Sequence, residues 1–162
     1  MLLRKYQPSD AESLVTVFRD AVVKIGSTAY DARQTAVWAS FPEDIEEFRQ
    51  LLSLGLTVVA VQDSRLVAFG QLNPPDHIAY LYTASDAARL GCATEIYKRL
   101  EARAIEQGSQ SLDTEASRIS KYFFLKMGFQ IVEREIVTRK GVQFERFKME
   151  KVINGKWKME NC

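Results

Sequence analysis

Hydrophobic residues follow two rhythms along this chain, and the switches between them lay out its elements. Alternating or unbroken apolar runs, the pattern of strands, occupy residues 2–6, 56–61, 65–72, 77–83, 111–115, 129–138 and 142–149. Between them apolar side chains return every three or four positions, as on the buried face of a helix. Leu14, Val15, Phe18, Ala21, Val22 and Ile25 make one such stripe, Ile45, Phe48, Leu51 and Leu52 a second, and Ala93, Ile96, Tyr97, Leu100 and Ala104 a third. Shorter helices are expected over 30–39 and 117–127.

Caps and breaks agree with this layout. Ser9 and Glu12 read as a capping box ahead of the first helix, and Pro42, Glu43 and Asp44 as the first turn of a later one. Ser117 is a good N-cap, and Gly26, Gly55, Gly108 and Gly128 are expected stops. Asp63-Ser64 and Asn73-Pro74-Pro75-Asp76 break strands, and Arg139-Lys140-Gly141 marks a hairpin. Strand, helix, strand over 77–115 predicts parallel neighbours joined by a right-handed crossover. The class is α/β (α+β), and the nearly unbroken apolar run at 56–61 predicts a central strand.

Composition narrows this picture without changing it. With 162 residues, 46% hydrophobic and 27% charged, the chain reads as one domain over 1–153 and a polar tail over 154–162. Lys and Arg total 22 against 21 Asp and Glu, a net charge of +1, so neither nucleic acid nor membrane is an expected partner. No run approaches the ~18 apolar residues of a membrane span, the N-terminus is too weakly apolar for a signal peptide, and a cytoplasmic location is expected. Two cysteines make no disulfide framework, and no metal site is expected. Cys92 reads as a small apolar side chain against the sheet rather than a nucleophile.

The stretch from His77 to Gln107 carries the candidate chemistry. A strand ends at Thr83, small residues follow, and a helix opens at Gly91-Cys92-Ala93-Thr94. The first-turn N–H groups of such a helix lack partners and carry partial positive charge, which makes an anion site. The same pattern also serves ordinary close packing of helix on sheet.

Leu81-Tyr82-Thr83 followed by Ala88-Arg89-Leu90-Gly91-Cys92-Ala93 resembles the acetyl-CoA motif of the GNAT N-acetyltransferase superfamily, Leu-Tyr-Val, a loop, then Gln/Arg-x-x-Gly-x-Gly/Ala. Downstream, Ser117 to Phe129 resembles the family's Asn-x-x-Ala-x-x-Phe-Tyr-x-x-x-Gly-Phe. The resemblance, closest to small stand-alone bacterial members, implies a mostly antiparallel sheet of six to seven strands with a splayed parallel pair in the middle and helices on both faces. It implies acetyl-CoA as co-substrate, with backbone of Leu81, Tyr82 and Thr83 holding the pantetheine arm. Amides of Arg89, Leu90, Gly91, Cys92, Ala93 and Thr94 would hold the diphosphate, and Ser117 and Phe124 would lie against the cofactor. Arg89 is a further phosphate partner or a solvated helix-start residue.

The implied reaction is N-acetylation of a primary amine on a small molecule or peptide, by direct attack in a ternary complex. His77, four residues before Leu81 and so expected on the same face, matches a catalytic carboxylate of the histone-acetylating branch; it is either the base or a solvated strand-start residue. Glu115 is the other candidate base, acting directly or through water, or simply solvated. Tyr30 and Trp38 lie eight apart, roughly two helical turns, and either wall an acceptor pocket or serve as ordinary core aromatics. Acceptor specificity is expected within residues 26–55 and in the final hairpin, and a homodimer through exposed hairpins fits the family.

Three positions depart from the family pattern. Ala88 replaces the usual glutamine or arginine, Ser117 the asparagine, and Phe124 the tyrosine often used as general acid. Tyr122 is the nearest phenol in sequence, on a different helical face; either it or water would protonate the thiolate. Ala88 and Phe124 also support an alternative, a catalytically weak GNAT-like domain that binds acyl-CoA as a sensor or interaction module.

Overall fold

Among the described residues seven strands form: β1 (Leu2–Lys5), β2 (Leu56–Gln62), β3 (Arg65–Leu72), β4 (His77–Thr83), β5 (Ser111–Ala116), β6 (Gln130–Arg139) and β7 (Val142–Val152). The computed structural model describes residues 1–154 and joins these strands in one sheet, ordered β1-β2-β3-β4-β5-β7-β6. Five helices cover it: α1 (Ala11–Lys24), α2 (Ala32–Ala39), α3 (Ile45–Leu52), α4 (Cys92–Glu106) and α5 (Ser120–Lys126). The expected tail over 154–162 lies, after Asn154, outside the described residues.

Both faces of the sheet are covered, so its inner strands are apolar on both sides. Val59 and Phe69 pack with Leu14, Phe18 and Phe48 of α1 and α3. Val58, Ala60 and Ala68 face the other way, against Ile96 and Leu100 of α4 and Phe124 of α5. Fully buried side chains such as Ile96 and Leu100 each contribute about 2 kcal/mol of apolar burial. This two-sided burial explains the unbroken apolar run of β2, which sits one strand in from the edge.

Every neighbouring pair is antiparallel except β4 with β5. That parallel pair is short. His77 stands opposite Asp113 and Ile78 opposite Thr114, and no later residues pair. Thr114 Oγ1 donates to the Ile78 carbonyl at 2.9 Å, at the point where the two strands part.

A bulge in β4 sits at the same place. Register against β3 passes from Gln71 opposite Tyr80 to Leu72 opposite Ile78, which leaves Ala79 as the extra residue. The bulge reverses the alternation of side chains. Ile78 and Leu81 therefore share the α4 face, while Tyr80 and Tyr82 face α1 and α3. The expectation that His77 and Leu81 share a face is overturned for this reason: even spacing across an inserted residue puts them on opposite faces.

Two helix starts also differ from the sequence reading. Pro8–Asp10 form a short 3-10 turn, and Asp10 rather than Ser9 is the organising residue. Its carboxylate accepts from the Gln7 N–H at 2.8 Å and takes both guanidinium arms of Arg4 at 2.8 and 2.9 Å. Helix α3 begins at Ile45, not in the Pro42 turn, because Asp44 caps the amides of Glu46 and Glu47 at 2.9 and 3.2 Å. Ser117 does cap: its Oγ accepts from the Ile119 and Ser120 N–H groups at 3.2 and 3.0 Å, which starts the turn leading into α5.

Candidate active site

Beyond Ile78 the two parallel strands diverge, β4 staying with β3 and β5 with β7. A cavity of about 500 Å³ opens between them, with Ile78 to Thr83 on one wall and Thr114 to Ser117 on the other. Backbone N–H and C=O groups need partners, so the strand edges along this gap present a surface on which an extended guest can pair as an added strand. Phe124, 3% exposed, lines the cavity, held edge-on against Phe123 and Phe129 at 5.4 and 5.1 Å.

At the far end of β4 the chain passes through residues 84–91 into α4. Arg89 and Gly91 both have positive φ, 65° and 86°. No side chain caps the first turn of α4, and a Cβ on Gly91 would meet nothing within 4 Å. The glycine is thus required by its left-handed backbone and not by lack of room. The helix runs 15 residues, so its N-terminus presents uncapped amides and the full positive end of the dipole. Arg89 and Leu90 are exposed, Ala93 and Thr94 half-buried, and Arg89 makes no ion pair among the described residues. Cys92 points into the core at 2% exposure, where burial pushes its thiol up and leaves it a packing residue. Among the described residues no cluster of His, Cys, Asp and Glu could hold a metal ion.

The opposite side of the cavity is made of side chains. Tyr30 and Trp38 both line it, with ring centroids 5.3 Å apart and planes 77° to each other. They do not meet along one helical face, because Tyr30 precedes α2 and stands before its N-cap, Asp31. The 3-10 turn Gly26–Thr28 brings Tyr30 back across the helix, with the Gly26 carbonyl accepting its N–H at 3.1 Å. Gly26 itself has no room for more: a Cβ there would sit 3.0 Å from the Trp38 ring. The Tyr30 hydroxyl donates to the Glu145 carbonyl at 3.2 Å and accepts the Arg118 N–H at 3.0 Å. Burial pushes its phenol above the usual range. Tyr80 and Tyr82 also line the cavity and are raised by the same cause.

The candidate acid–base residues are sorted by this geometry. Glu115 lines the cavity, its side chain 41% exposed and 3.5 Å from the Arg146 guanidinium. His77 lies in the paired segment, off the cavity lining, with its Nδ1 hydrogen-bonded to the Asp113 carboxylate. Tyr122 is 65% exposed, carries Lys121 over its ring at 5.0 Å, and is absent from the lining. Ser117 lines the cavity with its hydroxyl engaged as a cap.

Among the lining or supporting residues that escaped the sequence reading are Phe144, Glu145, Arg146 and Arg118. The hairpin of β6 and β7 turns at Lys140-Gly141, with φ of 50° and 75°, and its tip folds back over α2, where Gln34 Nε2 reaches the Gln143 carbonyl at 2.8 Å. Glu145 is held by Arg134 and by Arg118, the latter at 3.0 Å, and these guanidiniums keep its carboxyl below the usual range. The one advance sign was that the hairpin was expected to bear on specificity. Within the expected 26–55 span, α3 does not reach the cavity; Phe48 and Leu52 bury it against the sheet.

Comparison with known proteins agrees with this arrangement. Residues 27–151 match the family model described as an acetyltransferase (GNAT) domain. The chain is 30% identical over 148 residues to an uncharacterized N-acetyltransferase, YafP, of Escherichia coli K12, covering 91% of this chain and 93% of that protein. Among solved structures, a GCN5-related N-acetyltransferase from Rhodopseudomonas palustris superposes with a TM-score of 0.90 at 30% identity, covering 93% of this chain and 94% of that one. The PaiA N-acetyltransferase of Thermoplasma acidophilum, solved in complex with coenzyme A, shares the fold at a TM-score of 0.75 and 19% identity, over 93% and 98% of the two chains. A sheet parted at its parallel pair, an uncapped helix start following the first of those strands and a matching family model lead to one conclusion: the chain belongs to the GNAT acetyltransferase family.

Proposed function

We propose that this protein transfers an acetyl group from acetyl-CoA to a primary amine of a small molecule, by direct attack in a ternary complex. The observation that carries the proposal is the gap between β4 and β5, with the uncapped start of α4 following β4 in the chain. The pantetheine arm lies along Leu81, Tyr82 and Thr83 as a guest strand, and the diphosphate rests on the amides of residues 89–94 with Arg89 beside it. The acceptor nitrogen approaches from the Tyr30–Trp38 side. PaiA, which shares this fold and was solved in complex with coenzyme A, supports coenzyme A as the ligand.

Glu115 is the base, directly or through one water, and His77 is not; the support is that Glu115 lines the cavity while His77 is outside it and bound to Asp113. Glu115 takes a proton from the ammonium, the neutral nitrogen attacks the thioester carbonyl, and a backbone N–H on the β4 edge stabilises the developing oxyanion. The carbon–nitrogen bond forms and the carbon–sulfur bond breaks. The proton that the attacking nitrogen still carries passes through water to the departing CoA thiolate, since Phe124 has none to give and Tyr122 lies outside the lining.

Ala88 and the buried Phe124 favour a second reading, an acyl-CoA-binding sensor without turnover. Thiol release from acetyl-CoA across a panel of primary amines, beside calorimetric titration with CoA, separates the two. Turnover with at least one amine supports transfer; tight CoA binding with no turnover on any amine supports the sensor. Failure to bind CoA at all overturns both.

A further inference from the structure

The acceptor side of the cavity is selective in a way the transfer chemistry alone does not require. We infer that the acceptor is a monoamine with an apolar, ring-sized body and not a polyamine, an inference that rests on the acetyl-transfer reading because it places the amine nitrogen at Glu115. Val22, Ile25, Val37, Trp38 and Phe144 present an apolar wall to the cavity. Tyr30 adds only its ring, since its hydroxyl is committed to the Glu145 carbonyl and the Arg118 amide. Its ring stands 5.3 Å from Trp38 and 6.1 Å from Phe144, so the three aromatics form one continuous surface. Aromatic faces at such spacing favour another ring by edge or offset stacking.

The charges on the lining point the same way. Glu145 is already shared by Arg118 and Arg134, and Glu115 has Arg146 at 3.5 Å. A polyamine must bury a second ammonium, and a buried charge requires an unshared counter-charge. This lining has none to spare. Arg139 also lines the cavity and makes no ion pair among the described residues, so it repels a second cation, whereas the neighbouring Lys140 is neutralised by Glu43. A neutral, apolar tail meets no such obstacle.

The test uses the full chain saturated with CoA, titrated calorimetrically with 2-phenylethylamine and with spermidine, and assayed with acetyl-CoA for kcat/KM on each. Phenylethylamine is expected to bind at least about tenfold more tightly, a difference of the size one well-filled apolar contact supplies. Trp38→Ala is expected to weaken its binding about tenfold while CoA affinity holds. Should Trp38→Ala fail to fold, Arg139→Glu on the exposed hairpin tip serves instead, raising the spermidine-to-phenylethylamine affinity ratio severalfold. Equal or tighter binding of spermidine, no binding of phenylethylamine, or indifference to these substitutions overturns the inference. Turnover that prefers spermidine overturns the acceptor class and leaves acetyl transfer standing. Phenylethylamine binding without thiol release from any amine does the reverse.

Discussion

Along β4 the cavity is walled by a strand left unpaired on one edge beyond Ile78, with the uncapped start of α4 following it in the chain, whereas from Gly26 to Trp38 and at the β6–β7 tip the wall is made of side chains. The first half can lose side chains and keep its geometry: Ala88, Cys92 and Ala93 supply little beyond backbone direction, and the left-handed Gly91 sets that direction. The second half is assembled from segments more than a hundred residues apart, joined by contacts such as Tyr30 Oη to the Glu145 carbonyl. A site divided this way holds its co-substrate constant while its acceptor varies by substitution.

The sharpest way to break that division is Glu115→Gln. It should lower kcat about 100-fold or more, as loss of a general base does, with CoA affinity unchanged by calorimetry. His77→Gln should stay within about threefold of the parent, since proton transfer needs hydrogen-bond reach; the opposite ranking would move the chemistry out of the acceptor half. Away from both halves, Asp10→Asn should cost about 2 kcal/mol of stability and leave kinetics alone, because it leaves the half-buried Arg4 guanidinium without its buried carboxylate partner. Arg4 holds the Asp10 carboxyl below its usual range. The folded value is the lower one, so the stabilisation is present above the unfolded carboxyl value, about pH 4, and lost as pH falls through the folded value. Denaturation midpoints of the two proteins should therefore converge in acid.

On the cofactor side, Gly91→Val should weaken CoA binding about tenfold through left-handed strain of about 1–2 kcal/mol, without changing which amine is preferred. A changed acceptor preference would show the halves to be coupled. The smallest expected effect is that of Tyr30→Phe, about 1 kcal/mol in thermal unfolding for the lost donor. It should also raise the acceptor KM more than the acetyl-CoA KM, as steady-state kinetics would show.

What could be read in advance follows the same line. Helices α1 and α4, the strands and the helix start at Gly91 are local matters of period and dihedral preference, and the chain declares them. The alternation in β4 is not local: it depends on how Gln71 and Leu72 of β3 pair across the Ala79 bulge, and without that register His77 lands on the wrong face. The placements of Glu145, Arg146 and Arg118 depend on where a hairpin tip comes to rest, which no spacing of residues encodes. The Pro42 turn misled for a simpler reason, since the Asp44 carboxylate reaches two amides and so outcompetes it as the cap.

The bulge has an evolutionary corollary. Because Ala79 shifts the phase of everything on its N-terminal side, a single deletion there would swap inner for outer at His77 and Ile78 while Leu81, Tyr82 and Thr83 stayed in place. Relatives that lack the extra residue would present the neighbouring position to the cavity, and comparing them by gapless matching of this strand would pair groups that never occupy the same space.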